Sequence, residues 1–177
     1  MALEIERRFL VEGNSWREHI CWQQQFRQGY LVSSEQGFTV RVRLSDDGQA
    51  WLTLKAAATG IARHEFEYPI PFGDGEALLA LAAHRLSKQR FGLDCPGGDW
   101  VVDVFEAENA PLVLAEVELE HAEQPLSLPE WCGIELTGQG PWSNAALAAH
   151  PYSCWSDQHG PVWSDQHGPN PDGSHQQ

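Results

Sequence analysis

The fold of this chain is decided by the stretch L-E-I-E-R-R-F at residues 3–9. Glu4, Glu6 and Arg8 occupy every second position, and apolar side chains fill most positions between them. Because side chains two apart on a β-strand share a face, this stretch predicts a strand with one ionised face and one apolar face. Similar alternation recurs along the chain, which predicts a mainly β protein of the α+β class.

The alternation indicates eight strands separated by short turns. Closing the sheet into a barrel would leave no exposed edge, so a closed eight-stranded antiparallel β-barrel is one arrangement that fits. Two segments rich in Ala and Leu, residues 76–84 and 143–150, favour flanking helices. Asp74 is the expected cap of the first helix, and Ser143 or Asn144 that of the second. The predicted strands cover residues 3–11, 22–33, 37–44, 50–55, 63–70, 85–91, 100–106 and 112–120.

The composition changes after Pro151, where W-S-D-Q-H-G-P occurs twice, at residues 155–161 and 163–169. Two copies of so short a unit, rich in Gly, Pro and His, cannot form a hydrophobic core. With 177 residues in all, the length favours one domain and a tail. We therefore assign residues 1–152 to one domain and predict that residues 153–177 form a disordered low-complexity tail.

The net charge of −14 argues against a nucleic-acid partner. All 11 Lys and Arg residues nevertheless lie within residues 1–90, so a local positive site can form in this acidic protein. No apolar run approaches the ~18 residues of a membrane span, and the N-terminus lacks the layout of a signal peptide. We therefore expect a cytoplasmic protein that binds no membrane and keeps its four cysteines as free thiols.

Rows of ionised side chains like that of the first strand recur on later strands. Polar faces of half-buried strands usually point to water, so one explanation is a solvated outer surface. The rows are almost entirely ionised and sorted by sign, however, which a solvent face rarely is. If they lined the lumen of a barrel, they would have to neutralise one another or a bound polyphosphate with its divalent metal. The rows comprise Arg8, Arg41, Arg43, Lys55, Arg63, Lys88 and Arg90 together with Glu4, Glu6, Glu65, Glu67, Asp103, Glu116 and Glu118.

The rows lie in eight segments whose order carries a family resemblance. They are EIERRFLV at 4–11, QGYL at 28–31, RVR at 41–43, LTLK at 52–55, RHEFE at 63–67, SKQR at 87–90, VDVF at 102–105 and AEVEL at 115–119. In this order they resemble the CYTH proteins of the triphosphate tunnel metalloenzyme superfamily. GPWSNAALA at 140–148 also resembles the closing helix of that family.

The resemblance implies an eight-stranded antiparallel β-tunnel whose lumen binds a triphosphate and a divalent metal, Mg²⁺ or Mn²⁺. It implies that Glu4, Glu6, Glu116 and Glu118 hold the metal, and that Arg8, Arg41, Arg43, Lys55, Arg63, Lys88 and Arg90 bind phosphates. Lys55 and Lys88 are the candidates for a catalytic base, while Glu65, Glu67 and Asp103 are expected to face the tunnel. Arg8 departs from the family, which most often has Lys there; the charge is kept, but a guanidinium does not readily give up a proton.

The function that the resemblance implies is metal-dependent hydrolysis of a small triphosphate, with inorganic triphosphate as the expected substrate. The chain has no G-x-x-x-x-G-K-[ST] loop, so phosphate binding would depend on the charged rows. Phosphoryl transfer relies mainly on positioning and charge neutralisation, so no nucleophilic side chain is required. Three alternatives stay open: cyclisation of ATP to cyclic AMP, hydrolysis of thiamine triphosphate, and a module that binds polyphosphate or nucleotide without turnover.

Overall fold

The computed structural model describes residues 2–34 and 37–155. In these ranges the strands are β1 (Ala2–Val11), β2 (Ile20–Ser33), β3 (Thr39–Ser45), β4 (Ala50–Ala57), β5 (Ala62–Ile70), β6 (His84–Leu93), β7 (Asp99–Phe105), β8 (Val113–Glu118) and β9 (Cys132–Glu135). The α-helices are α1 (Phe72–Leu81) and α2 (Asn144–Ala149). Most of the predicted tail, residues 156–177, lies outside the described residues. Within them no helix has the length and apolar character needed to cross a membrane.

The first eight strands form a closed antiparallel barrel. Its strands follow the order β1, β5, β4, β3, β2, β6, β7, β8, and β8 pairs again with β1. The seam between β1 and β5 is short, because only Ala2–Ile5 pairs there, while the following part of β1 pairs with β8. The closed eight-stranded barrel predicted from the sequence is therefore confirmed. Each predicted strand begins and ends within about two residues of the corresponding observed strand.

A ninth strand extends the sheet beyond the prediction. Strand β9 pairs with the end of β1, opposite Phe9 and Val11. Its Glu135 accepts two hydrogen bonds from Arg7, from Nε at 2.8 Å and from Nη2 at 2.7 Å. Four residues are too few for a period-two pattern to stand out, so the sequence offered no signal for this strand.

The ionised rows face the lumen of the barrel. Glu4, Glu6 and Arg8 line one central cavity together with residues of β3, β4, β5, β6, β7 and β8, and only inward-pointing side chains can meet in this way. Their neighbour Phe9 points outward, is 0 % exposed, and packs with Trp16 in an apolar cluster on the outer face. Of the two explanations for the charged rows, the solvated outer surface is therefore wrong.

Helix α1 covers the outer face of β2, β3 and β4, where Leu79 contributes to an apolar cluster. Two glycines permit the close approach of helix and sheet. A Cβ atom on Gly29 would lie 2.6 Å from the Cβ of Ala82, and one on Gly75 would lie 2.7 Å from the Cβ of Ala50. Any larger residue at either glycine would push the helix away from the barrel.

The helix caps differ from the prediction in one of two cases. Helix α1 begins after Pro71, four residues earlier than expected, so Asp74 lies in its first turn and the prediction that Asp74 caps it is wrong. Proline fixes φ without needing a backbone donor, which suits a helix start. Helix α2 has the expected cap, because Oγ of Ser143 accepts a hydrogen bond from the backbone N–H of Ala146 at 3.2 Å.

Helix α2 closes one end of the lumen with an apolar plug. At this end the inward positions of the strands change from charged to apolar, and Leu147 of α2, which is 0 % exposed, packs against them. The ionised residues are thereby confined to the remainder of the lumen. The apolar plug comprises Leu10, Tyr30, Leu86, Phe105, Leu112, Leu114, Leu136, Trp142, Leu147 and Ala148.

Candidate functional site

The lumen holds a cavity of about 220 Å³ that is lined almost wholly by ionised side chains. It opens into a vestibule of about 350 Å³, lined by Ser33, Thr39 and the start of α2, and residues such as Arg8 and Lys55 line both spaces. Arg63 lines the vestibule and donates from Nη2 to the carbonyl oxygen of Gly37 at 3.0 Å. The cavity is lined by Glu4, Glu6, Arg8, Arg41, Arg43, Lys55, Glu65, Glu67, Arg90, Asp99, Val101, Glu116, Glu118 and Asn144.

Strands β1, β6, β7 and β8 carry a continuous chain of ion pairs. Arg90 donates from Nε and Nη2 to the two oxygens of Asp103, each at 2.7 Å, and from Nη2 to Oε2 of Glu116 at 2.7 Å. Arg8 donates to Oε1 of Glu116 from Nε at 3.0 Å and from Nη2 at 2.7 Å. Lys88 completes the chain, with its Nζ 2.5 Å from Oδ2 of Asp103. Side chains bound on several sides in this way have fixed orientations.

The two central carboxylates of this chain stay ionised although they are buried. Burial by itself raises the pKa of Asp103, but attraction to Arg90 and Lys88 outweighs it and brings the pKa below its ordinary value. Burial likewise raises the pKa of Glu116, and Arg8 together with Arg90 brings it well below the ordinary range. Both acids therefore act at neutral pH as fixed negative charges that hold the basic side chains in place.

A second group of ion pairs lies on β1, β3, β4 and β5. Nζ of Lys55 is 2.7 Å and 2.5 Å from the two oxygens of Glu4, and 3.1 Å from the nearer oxygen of Glu65. Arg41 donates from Nη2 to Oε2 of Glu67 at 3.2 Å. Glu65 is only half-buried and Glu67 is exposed, so this group is held less firmly than the first.

Arg43 and Arg41 have donors for which the described residues provide no acceptor. Among the described residues, no carboxylate lies within ion-pair distance of Arg43, and its Nε donates to Oε1 of Gln28 at 3.0 Å. Burial lowers the pKa of Arg43 to about 9, and the nearby charges of Arg41 and Arg90 lower it as well. Nε of Arg41 is buried and has no acceptor within residues 2–34 and 37–155. A buried cation without a counter-ion is costly, so this arrangement indicates a site for an anion.

Carboxylates crowd one another at the opposite side of the cavity. Glu6 lies directly across from Glu118, which has Asp99 on its other side. Burial raises the pKa of Glu6, and the negative charge of Glu116 raises it further. Burial also raises the pKa of Glu118, and the negative charge of Glu4 adds to this effect. A divalent cation would relieve this repulsion, and carboxylate oxygens are ligands that Mg²⁺ and Mn²⁺ accept. The donor set therefore fits a hard divalent metal, although no three His, Cys, Asp or Glu side chains of the described ranges already converge as a ready-made site.

Lys88 differs from the other basic residues because it is closed off from the cavity. It is 0 % exposed, Asp103 beside it is 1 % exposed, and neither lines the cavity. Burial lowers the pKa of Lys88 to about 7, and Arg90 lowers it too, against the opposing effect of Asp103. An amine with this pKa can hold or release a proton near neutral pH. The residue that both contacts Lys88 and lines the cavity is Asn144, whose Oδ1 lies 3.3 Å from Nζ.

A barrel with charged rows of both signs inside matches the expectation drawn from the eight sequence segments. Residues 2–140 match the CYTH domain family. The chain belongs to the CYTH domain family. The resemblance stated from the sequence is thereby confirmed, and the charged lumen is the lumen of a CYTH domain.

Relatives of this CYTH domain are similar over nearly their whole length. The chain is 36 % identical over 154 residues to an inorganic triphosphatase of Acetivibrio thermocellus, covering 86 % of this chain and 97 % of the relative. It is 34 % identical over 149 residues to an inorganic triphosphatase of Nitrosomonas europaea, covering 82 % and 96 % respectively. A crystal structure of an inorganic triphosphatase aligns with a TM-score of 0.57 at 32 % identity, covering 84 % of this chain and 95 % of that one.

Most of the predicted site residues of this CYTH domain line the cavity, while Arg63 lies in the vestibule and Lys88 and Asp103 lie behind the wall. The sequence missed four polar residues of the same site: Gln28, Thr53, Asp99 and Asn144. Two of them had a usable signal, because Thr53 lies two positions from Lys55 on β4 and Asp99 lies four positions from Asp103 on β7, so each shares the inward face of its strand. Gln28 lies opposite Arg43 on β2, a strand without a predicted site residue, so spacing along the strand gave no signal for it. Asn144 had none, because its position depends on how α2 folds back into the lumen.

Proposed function

We propose that this protein is a metal-dependent hydrolase that cleaves inorganic triphosphate to pyrophosphate and phosphate inside the lumen. The observation that carries the proposal is the guanidinium group of Arg43, half-buried and without a carboxylate partner among the described residues, in the same cavity as the crowded Glu6 and Glu118. A polyphosphate together with a divalent cation satisfies both groups at once. The two relatives described above, which are inorganic triphosphatases, support this choice of substrate.

In this proposal the basic residues bind and orient the phosphates. Arg43 and Arg41 offer donors that no acceptor in the described part of the chain uses. Arg8 and Arg90 are held by Glu116, so they need little rearrangement when the anion arrives, and such preorganised charges contribute strongly to phosphoryl transfer. The proposed phosphate-binding residues are Arg8, Arg41, Arg43, Lys55, Arg63, Lys88 and Arg90, with Lys88 acting from behind the cavity wall.

We propose that Glu4, Glu6, Glu116 and Glu118 hold the metal, with Mg²⁺ or Mn²⁺ as the ion. When bound, such an ion neutralises charge on phosphate oxygens and makes the attacking water more acidic. Glu6 and Glu118 suit this role because burial and the negative charges of other carboxylates raise their pKa in the free protein, the charges of Glu116 and Glu4 for Glu6 and those of Glu4, Asp99 and Glu6 for Glu118. Glu65, Glu67 and Asp103 are proposed as supporting residues that hold Lys55, Arg41 and Arg90 in place.

Lys55 is the proposed acceptor for the proton of the attacking water, and Lys88, which is closed off from the cavity, is proposed to assist the reaction from behind the cavity wall. The oxygen of this water forms the new P–O bond, pyrophosphate leaves, and the proton is taken up by an amine. Lys55 faces the cavity between Glu4 and Glu65. Lys88, with a pKa of about 7, is neutral in a large fraction of molecules at slightly alkaline pH.

The test is a substrate panel scored by phosphate release. Inorganic triphosphate, ATP and thiamine triphosphate are compared with Mg²⁺, with Mn²⁺ and with a chelator. We expect inorganic triphosphate to have the highest kcat/KM and the chelator to abolish turnover. Arg43→Ala should lower kcat/KM for triphosphate by at least about tenfold. Arg27→Ala, which removes an exposed arginine on the outer face of the same sheet, is the matched control and should not.

Three results would overturn the proposed function. Formation of cyclic AMP from ATP as the main activity would identify a cyclase, and preference for thiamine triphosphate would identify a different hydrolase. Tight binding of triphosphate without phosphate release at saturating metal would identify a binding module. A cytoplasmic location is part of the same proposal, and cell fractionation tests it.

A further inference from the structure

The segment Trp142–Asn144, at the start of α2, touches the charged network at two points. The carbonyl oxygen of Trp142 accepts a hydrogen bond from Nη1 of Arg8 at 3.1 Å. Oδ1 of Asn144 accepts one from Nζ of Lys88 at 3.3 Å. Arg8 lies on β1 and Lys88 on β6, and these strands are not neighbours in the barrel. The segment therefore bridges two separate parts of the charged lining.

The side-chain amide of Asn144 has its oxygen in a hydrogen bond and its nitrogen available to a ligand. A lysine ammonium can only donate, so the amide oxygen faces Lys88. The amide nitrogen, Nδ2, has no acceptor among the residues that the structure describes. Asn144 is half-buried and lines both the cavity and the vestibule. Two amide hydrogens are thus available to a ligand at the junction of the two spaces.

The amide is held on a firm support. Leu147, one turn further along α2, is fully buried in the apolar plug. The carbonyl oxygen of Leu147 accepts a hydrogen bond from Nδ2 of Asn109 at 3.2 Å, and Ser143 caps the helix. Side chains positioned by packed elements lose little entropy when they bind a ligand. The orientation of Asn144 is therefore fixed before substrate arrives.

We propose that Asn144 binds a phosphate oxygen of the substrate through Nδ2 while Oδ1 holds Lys88, so that Lys88 acts on the reaction through Asn144. The inference rests on the proposed function, because it adds a residue to that site. It also explains how a lysine without access to the cavity takes part: its proton polarises the amide and strengthens the N–H donors on the other side. Asn144 is then a substrate-binding residue, and Lys88 a positioning residue behind it.

The protonation of Lys88 offers a readout of this contact. Removing the amide takes an acceptor away from the ammonium, which lowers the pKa of Lys88. Replacing the amide by a carboxylate adds a negative charge beside the ammonium, which raises it. The other groups facing Lys88 are unchanged in both variants: Arg90 on its own strand, Arg43 on β3, Asp103 on β7, Glu116 on β8 and the ring of Phe105.

The experiment compares Asn144→Ala and Asn144→Asp with the unaltered protein. Asn144→Ala loses the donor, so kcat/KM for inorganic triphosphate should fall about tenfold. Asn144→Asp keeps an oxygen for Lys88 but turns a negative charge toward the phosphates, so kcat/KM should fall at least about a hundredfold. The limb of the pH profile near pH 7 should move to lower pH in the first variant and to higher pH in the second.

A control variant separates these effects from damage to the helix. Ser143→Ala removes the cap of α2 without touching Lys88. It should lower the unfolding temperature and leave the position of the pH limb unchanged. Shifts of both Asn144 variants in the same direction, or no shift in either, would overturn the inference.

Binding without turnover distinguishes the inference from the proposed function. Calorimetry with inorganic triphosphate in a chelating buffer measures affinity whether or not the protein hydrolyses it. If the unaltered protein binds triphosphate but releases no phosphate at saturating Mg²⁺ or Mn²⁺, the proposed function fails, and the variants still decide: affinity in the chelating buffer that falls from unaltered to Ala to Asp supports the role of Asn144, and equal affinities overturn it. If the unaltered protein binds triphosphate neither in the chelating buffer nor with Mg²⁺ or Mn²⁺, both proposals fail.

Discussion

At the level of single residues, Arg43 shows most clearly that the charged site lowers the stability of the folded protein. Arg43 is half-buried and has no carboxylate partner in the described part of the chain, and its pKa is lowered to about 9 by desolvation and by its basic neighbours. A lowered pKa means that the charged form is disfavoured in the folded state relative to the unfolded chain. The free protein therefore carries strain that a bound anion would release.

Replacing Arg43 should separate stability from binding. We expect Arg43→Met to raise the free energy of unfolding by about 1 kcal/mol, because an unpaired buried charge is removed, while triphosphate affinity falls. Arg90→Met is the matched comparison, since Arg90 pairs with Asp103 and Glu116. It should cost about 3–5 kcal/mol, because two buried carboxylates lose a partner. Urea unfolding measures both, and equal destabilisation by the two variants would contradict this account of Arg43.

Replacing Glu118 should change the metal dependence of the activity, whereas replacing Glu120, two residues further along the chain, should not. Burial and the repulsion of Glu4, Asp99 and Glu6 raise the pKa of Glu118. Glu118→Gln should therefore raise the Mg²⁺ concentration needed for half-maximal activity by about tenfold or more. Glu120→Gln removes the same charge from an exposed position beyond the end of β8 and serves as the control. A metal titration in which both variants behave alike would remove Glu118 from the proposed metal site.

At the level of elements, α2 connects the stability of the barrel with the arrangement of the site. Leu147 is 0 % exposed in the apolar plug, so Leu147→Ala should cost about 2–5 kcal/mol of unfolding free energy. It should also lower kcat/KM, because the contacts of Trp142 and Asn144 with the charged network depend on α2. Leu81→Ala, at the end of α1 and 77 % exposed, should change stability by no more than about 0.5 kcal/mol. Loss of stability without loss of activity in the Leu147 variant would show that the plug does not position the site.

The elements also show which parts of the structure could be read from the sequence. Strand β1 was predictable because Glu4, Glu6 and Arg8 alternate with apolar residues, and period-two patterns of this length are specific. Alternation alone did not give the inward direction of these charges, since it is the same whether the polar face meets water or a lumen, and that direction was indicated by the sorting of the charges by sign and by the family resemblance. The start of α1 was misplaced because Asp74 offers a better capping side chain than Pro71, whose effect is on the backbone. The position of α2 inside the barrel end depends on contacts between distant residues that no local pattern records.

At the level of the whole molecule, the boundary between domain and tail can be tested by truncation. The last residue that the structure describes is Trp155, whose ring centroid lies 4.7 Å from that of Trp142. Ending the chain after Trp155 should leave phosphate release and the unfolding temperature unchanged. Ending it after Tyr152 also removes this aromatic contact and should lower the unfolding temperature by about 2–4 °C. Loss of activity in the longer truncated form would mean that residues 156–177 contribute to function.

The short seam between β1 and β5 has a consequence for how the protein is made. Strand β1 leaves the ribosome first, yet its main partner, β8, begins at Val113 and is synthesised much later. Until then Arg8 lacks Glu116 and the barrel has no closed wall, although Glu4 already has Lys55 of β4 as a possible partner, and pairings so distant in sequence form slowly. A nascent chain that lacks β8 holds no complete version of the site. Enzymatic activity should therefore appear only after β8, the last strand of the closed barrel, has been translated.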